Sequence, residues 1–359
     1  MNEFGNIDYQ LPYNPNDVDI RQQRFAVREI MEMITESEIE LWREDDYQRK
    51  SNAWDPKRKS RLIESLIMRI PLPIFYFDGS NSPWKVIDGL HRLTTLYTFI
   101  KGESFPLSDL EYLKDLEGST FFELPFKYRR VIETFNIEAY LINPGTPDKV
   151  KLNIFKRINT GGISMSSHEI RTTYFSGKPV EFIKSLVLSA EFLNTTKRKI
   201  SNYGLKDHEA VLRFFSFYKY WENYKPSMEQ FLDFSMETIY TISEIELKQI
   251  RERFRQSMIT CNVIFDDKAF YMLNYKGEKL GSTINMALFE TWSVNIALLD
   301  YDALEILETR KEELLIKYFA LFQNVEFNKS VSSGTSSKKS VYTRFALIKE
   351  LINEMINAN

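Results

Sequence analysis

From about residue 24 to residue 178, short apolar runs of strand length alternate with helical repeats, and from about residue 179 only the helical repeat remains. That change of period constrains the fold most. Alternation builds a sheet layered with helices, whereas a long purely helical stretch has to bury its apolar stripes against other helices. FAVREIMEMITESEIEL reads as strand, helix, strand. A helix follows with apolar residues at Leu62, Leu66, Ile67 and Ile70, ended by Pro71. IFYF is a buried strand, Gly79 to Pro83 a turn, WKVID a further strand, and Leu90 to Lys101 a helix stopped by Gly102. IEAYLI, the turn NPGTP and a helix from Asp148 to about Asn159 complete the alternation. Beyond it HEAVLRFFSFYKYWENY, SMEQFLDFSMETIYTISEIELKQIRERFRQSM and YTRFALIKELINEMI are helical. The expected class is α+β: an N-terminal arm over 1–23, a mixed α/β domain over 24–178 and a helical domain over 179–359. FNKSVSSGTSSKKSVYTR reads as a mobile, mildly basic surface loop.

A chain of 359 residues is long enough for two cores, and 43% hydrophobic with 27% charged residues is the composition of a globular protein. The formal net charge of -3 excludes a globally basic nucleic-acid coat. DNA contact then falls to local clusters: Lys57, Arg58, Lys59 and Arg61, Lys127 to Arg130, Lys197 to Lys199, and Lys338 with Lys339. The one cysteine, Cys261, has no internal disulfide partner, which fits a reducing compartment and points to the cytoplasm. The N-terminus is polar and acidic, unlike an export signal. LIESLIMRIPLPIFYF is broken by Glu64, Arg69 and two prolines, so no membrane crossing is expected.

VIDGLHRLTTLYTF joins a strand to a helix. On that helix Leu90, Leu93, Leu96, Tyr97 and Ile100 share an apolar face, His91, Thr94, Thr95 and Thr98 fall on the other side, and Arg92 stands at the border. One reading makes the corner a ligand site. First-turn amides without helical partners favour an anion, Arg92 adds a fork of donors, Gly89 allows close approach, and Asp88 at the strand end can hold Mg²⁺. The other reading is local: Asp88 caps the helix and pairs with Arg92 four residues on. The corner alone leaves both open. FKRINTGGISMSSHEIR sets Arg157 and Asn159 before a Gly161-Gly162 turn, then a capping box from Ser166 to Glu169. A binding role for Arg157 and Asn159 and a merely solvated turn are both compatible with it. His168 is expected on the surface, His208 as an early helix residue beside Asp207, and Glu64 as a solvated carboxylate.

Tyr47 to Arg49, Trp54, LIESLIMRIPLPIF, VIDGLHRLTTL and FKRINTGGISMSSHEIR together resemble one family in order and spacing. It is the ParB/sulfiredoxin-like family that forms the N-terminal domain of GmrSD-type modification-dependent restriction enzymes, and the likeness covers roughly residues 25 to 175. The family signature reads Asp-Gly-Gln-Gln-Arg followed by Leu-Thr-Thr-Leu; Asp88, Gly89 and Arg92 match it, and Leu90 and His91 replace the glutamines. The resemblance implies nucleoside triphosphate binding with Mg²⁺, hydrolysis in several members, and recognition or cleavage of foreign DNA. Under it Asp88, His91 and Arg92 form the catalytic set, and Asp88 serves the metal. Gly89, Arg92, Thr94 and Thr95 meet the nucleotide, while Arg49, Arg157 and Asn159 line the same cleft. Leu90 lacks an amide that could orient water, so binding can outlast hydrolysis. No Walker-type loop is present, since GEKLGST and SSGTSSKKS lack its spacing.

Full-length members usually carry a C-terminal His-Asn-His nuclease, and this sequence has only His91, His168 and His208. The expected function is therefore a nucleotide-dependent sensor or regulatory subunit of a bacterial anti-phage restriction system. Its expected partners are DNA, a separate nuclease or modification enzyme, and a second copy of itself. Two alternatives stand beside it: a DNA-binding adaptor with a degenerate nucleotide pocket, and a nickase working through Asp88 and Glu64.

Overall fold

The computed structural model describes residues 14–41, 54–102, 104–158 and 166–357. Among them five strands form one mixed sheet. In chain order these are β1 (Ile20–Ala26), β2 (Ile39–Glu40), β3 (Phe75–Asp78), β4 (Trp84–Asp88) and β5 (Asn136–Ile142), and they lie side by side as β1-β5-β3-β4-β2. β1 runs antiparallel to β5 and β3 antiparallel to β4, while β3 with β5 and β2 with β4 are parallel. The helices of this part are α1 (Val27–Thr35), α2 (Pro56–Ile67), α3 (Leu90–Ile100), α4 (Phe126–Thr134) and α5 (Asp148–Ile158). Residues 20–23, placed in an N-terminal arm by the sequence reading, belong to β1. From Ile20 the chain pairs with β5 in register Ile20 to Ile142, because IRQQRFA places Phe25 into the core.

Alternation along β3 divides the sheet into two faces. Phe75 and Phe77 join Val86, Ala139 and Leu141 in a core with Ile30, Ile63, Leu66, Leu93 and Leu96 from the helices. Tyr76, Asp78 and Tyr140 point to the opposite face, where α5 meets β4 and Lys151 Nζ lies 3.8 Å from Asp78. Each fully buried leucine or phenylalanine contributes roughly 1.5–3 kcal/mol, so the helix-covered face holds the unit together.

Asp55 accepts the Arg58 N–H at 2.7 Å, Pro56 takes the first helical position, and α2 follows. The helix stops at Ile67, and Ile70, expected on its apolar stripe, lies outside it and is exposed. Glu64 is not the solvated carboxylate expected. It is buried, and its oxygens accept the backbone N–H groups of Glu111, Tyr112 and Leu113 at 2.7–3.0 Å. Burial opposes its charge, but the amides of Glu111, Leu113 and Tyr112 outweigh it, with Arg61 adding to them, and its pKa falls below the ordinary value. A lowered carboxylate pKa stabilises the fold above the unfolded-state value and loses that contribution as pH falls through the folded-state value. Glu64→Gln is therefore expected to lower the urea midpoint at pH 7. The gap to wild type should close as the titration is carried below about pH 4.

The chain divides into two compact units, Met1–Ser164 and Met165–Asn359, where the sequence reading set the border after 178. Helix α6 (Ser167–Tyr174) is tied into the second unit: Arg171 Nε lies 2.7 Å from Asp233 and Ser166 Oγ donates to the Gly204 carbonyl at 2.6 Å. The other helices are α7 (Lys178–Val187), α8 (Ala190–Thr195), α9 (Lys206–Tyr220), α10 (Met228–Ile239), α11 (Glu244–Phe265), α12 (Met286–Ala297), α13 (Tyr301–Thr309), α14 (Lys311–Leu321), α15 (Val325–Ser332) and α16 (Lys338–Asn357). α12 is the axis of this unit. Every residue from Ala287 to Ala297 is buried, and α9, α11 and α16 pack around it. Glu290 sits on it between Arg344 and Arg213, with Arg213 Nη1 3.2 Å from Glu290 Oε2.

The expected loop from Phe327 to Arg344 is mostly helix. Asn324 caps α15 through the Glu326 and Phe327 N–H groups, and only 333–337 turn before α16. That turn is fastened from below: Arg344 Nη1 donates to the Thr335 carbonyl at 2.6 Å and the Tyr224 hydroxyl to that of Ser336. Among the described residues no helix is long and apolar enough to cross a membrane.

Candidate functional site

The corner between β4 and α3 is made by one residue. Gly89 is left-handed, at φ 97°, and a Cβ there would lie 2.8 Å from Phe75 Cε1 and closer still to Cδ1. Its glycine is thus required by the backbone angle and by the Phe75 ring beneath it, not by a ligand overhead. Gly89 is the N-cap of α3, so the N-cap residue brings no side chain to the first-turn amides. Asp88 does not act as the cap that the local reading assigned to it.

Arg92 draws Asp88 aside. Its Nη2 lies 2.8 Å from Asp88 Oδ2 and 3.2 Å from the Ile74 carbonyl, Nη1 donates to the Pro73 carbonyl, and the guanidinium lies 4.1 Å over the Phe75 ring. Burial lowers the Arg92 pKa and the Asp88 charge opposes that shift. A guanidinium with 10% side-chain exposure keeps its charge only because these partners replace water. The fork of donors expected to meet phosphates is turned onto the protein. Arg92 ties the 73–74 approach to β3 onto the start of α3, and it orients the Asp88 carboxylate.

α3 is buried on more sides than its amphipathic pattern suggested. Leu90 packs against the apolar core, as its place on the predicted stripe requires. Thr94 and Thr95 are buried rather than on an open polar side. The Thr95 hydroxyl donates to the His91 carbonyl at 2.8 Å, and the Thr94 hydroxyl is buried without a partner among the described residues. His91 is half-buried, with its ring 6.2 Å from that of Trp54, and Arg58 covers the indole at 4.7 Å. Trp54, His91 and Arg58 therefore stand together beside the helix start.

One residue at this corner, and one farther along the same sheet face, were missed by motif reasoning. Tyr76 is the register partner of Asp88, and its ring lies 5.2 Å from that of Tyr140. Burial, then the Tyr140 and Asp88 charges, raise the Tyr76 pKa, so its hydroxyl keeps its proton and can donate. The signal was the alternation in IFYFD, which sends Tyr76 to the Asp88 side of the sheet. Lys151, buried beside Asp78 on the same face, was also missed. Arg157 is exposed in the last turn of α5. Arg49, Asn159, Gly161 and Gly162 lie outside the described residues.

Four further expectations meet the structure away from this corner. The Ser166 to Glu169 capping box is present, with Ser166 accepting the Glu169 N–H at 3.1 Å and Glu169 the Ser166 N–H at 2.8 Å. His168, expected on the surface, is fully buried in α6. His208 stands in the first turn of α9, its Nδ1 2.9 Å from Asp207. Glu64, directed at the amides of 111–113, is not aimed at Asp88.

No curated protein and no solved structure matches the chain. Residues 27–176 match the family described as the N-terminal domain of the GmrSD restriction endonuclease. The match takes in the four strands β2 to β5, helices α1 to α6 and the whole Asp88 to Arg92 corner, so this part of the chain is similar to the N-terminal domain of the GmrSD restriction endonuclease.

Proposed function

We propose that the N-terminal unit is a nucleoside triphosphate-binding regulatory module of a DNA-restriction and anti-phage defence system, working with a partner nuclease. The observation that carries this reading is the start of α3: a helix N-terminus whose N-cap residue, Gly89, brings no side chain, at the carboxyl end of β4, within a domain that matches a restriction-enzyme family. A phosphate is received by the first-turn amides, with His91 at the rim and the Tyr76 hydroxyl as a donor from the sheet. Arg92 acts behind the site, holding Asp88 in place rather than touching the phosphate. Thr94 and Thr95 stay within the helix packing. Asp88 presents a single carboxylate, with Oδ2 given to Arg92, which suits Mg²⁺ shared with nucleotide oxygens; the ion would supply charge neutralisation there.

The committed fork of Arg92 favours a second reading, a DNA-binding adaptor whose pocket has lost its nucleotide. Isothermal calorimetry of the full chain with each triphosphate and Mg²⁺ separates the two. The first reading expects binding that weakens about tenfold or more in His91→Ala, at an unchanged thermal midpoint, a loss of about 1.4 kcal/mol, and in Asp88→Asn, which also lowers the thermal midpoint because Arg92 loses its charged partner. A wild-type chain that binds none of the four nucleotides overturns it. The adaptor is then marked by DNA affinity that falls steeply with salt and is indifferent to nucleotide.

A further inference from the structure

His168 is fully buried, and neither of its ring nitrogens has a hydrogen-bond partner among the described residues. Buried imidazoles almost always have one, so this side chain calls for an explanation. Its ring faces a second imidazole: the His208 centroid is 6.1 Å away, with the planes at 50°. The His208 Nδ1 is engaged by Asp207 Oδ1 at 2.9 Å, and a carboxylate can only accept. Nδ1 is therefore the donor, and Nε2 is the nitrogen left to bind a ligand. This carboxylate behind an imidazole is the arrangement that orients histidine as a metal ligand.

The spacing fits one shared ion. A metal to imidazole-nitrogen distance of about 2.0–2.1 Å puts each ring centroid about 3.2 Å from the ion, so two rings 6.1 Å apart can share it at a nitrogen–metal–nitrogen angle of about 145°, wider than tetrahedral. The Arg171 charge, which would repel an ion, is matched by Asp233 at 2.7 Å.

We infer that His168 of α6 and His208 of α9, backed by Asp207, form a two-imidazole site for a borderline divalent transition metal such as Zn²⁺ or Cu²⁺. Among the described residues no group of three or more His, Cys, Asp or Glu side chains is placed to hold a metal ion. Water completes the coordination, and the site is weaker than a closed structural zinc centre. By joining α6 to α9, the ion pins together two helices of the second unit, the first of which is the last helix of the restriction-family match.

The experiment is Zn²⁺ calorimetry and Cu²⁺ electron paramagnetic resonance on the untagged full chain. The expected result is one equivalent of Zn²⁺ bound, a raised thermal midpoint, and a Cu²⁺ spectrum with hyperfine splitting from two imidazole nitrogens. His168→Gln and His208→Gln should abolish both signals, Asp207→Asn should weaken binding about 10–100-fold, and His91→Gln should change neither. If His168→Gln does not fold, His208→Gln and Asp207→Asn decide the matter, since both residues are partly exposed. No Zn²⁺ binding by wild type, binding kept in His208→Gln, or binding lost in His91→Gln overturns the inference.

Discussion

Arg344→Met is expected to lower the unfolding free energy of the helical unit by about 3–5 kcal/mol, read as a shift of the urea transition followed by far-ultraviolet circular dichroism. The reason lies in what is left behind. Arg344 is buried against Glu290, and it also donates to Thr291 Oγ1 at 3.1 Å and to the carbonyls of Ser330 and Thr335. Removing it strands a carboxylate at the centre of α12 with only Arg213 beside it, and it frees the 333–337 turn. Arg213 has a second partner in Glu209 at 2.8 Å. The double variant Glu290→Leu with Arg344→Met, which removes both buried charges, should therefore be less destabilised than the sum of its parts by about 1–3 kcal/mol. Strict additivity would show that the pair does not interact, and a wild-type transition in Arg344→Met would show that the guanidinium is not buried as described.

Gly89→Ala is expected to cost about 2–5 kcal/mol, combining roughly 1–2 kcal/mol for a left-handed residue with roughly 1–3 kcal/mol for overpacking against Phe75. The two parts are separable. Phe75→Leu in the Gly89→Ala background removes the ring contact and leaves the backbone angle, so it should recover part of the loss and never all of it. Full recovery would assign the glycine to packing alone, and none would assign it to the angle. An unfolding transition of Gly89→Ala equal to wild type would mean that the corner is not built as described.

What could be read from the sequence follows from the range of each interaction. The strands over 75–78, 84–88 and 136–142 and the helix starting at Leu90 were legible because period and punctuation are local. The Asp88 to Arg92 pair was legible as one of two readings, since residues four apart on a helix are neighbours. Glu64 was misread because the amides that hold it come from residues 111–113, and nothing near position 64 announces them. His168 was misread for a related reason: the helices that bury it lie beyond the motif in which it stands. α12 carried no signal, because a helix buried on all sides has no polar face and therefore no period. The Ser- and Lys-rich stretch after Asn324 looked loop-like by composition, yet its polar groups serve as caps and as acceptors for Arg344 and Tyr224. At the corner itself, motif and alternation placed the residues together. The direction in which Arg92 points depended on the carbonyls of Pro73 and Ile74, which no motif contains.

The near-complete burial of α3 also sets how this domain can diversify. Arg92 through Leu96, with Phe99 and Ile100, are enclosed, and Gly89 tolerates no side chain. Of the residues that shape the corner, the half-buried His91 can be exchanged without repacking the interior, whereas the carboxylate before Gly89 is held by the buried Arg92. On the proposed nucleotide-binding reading, a lineage altering its preferred ligand has one freely adjustable position on an otherwise rigid frame, so new specificities should arise by swaps at this rim rather than by remodelling the scaffold.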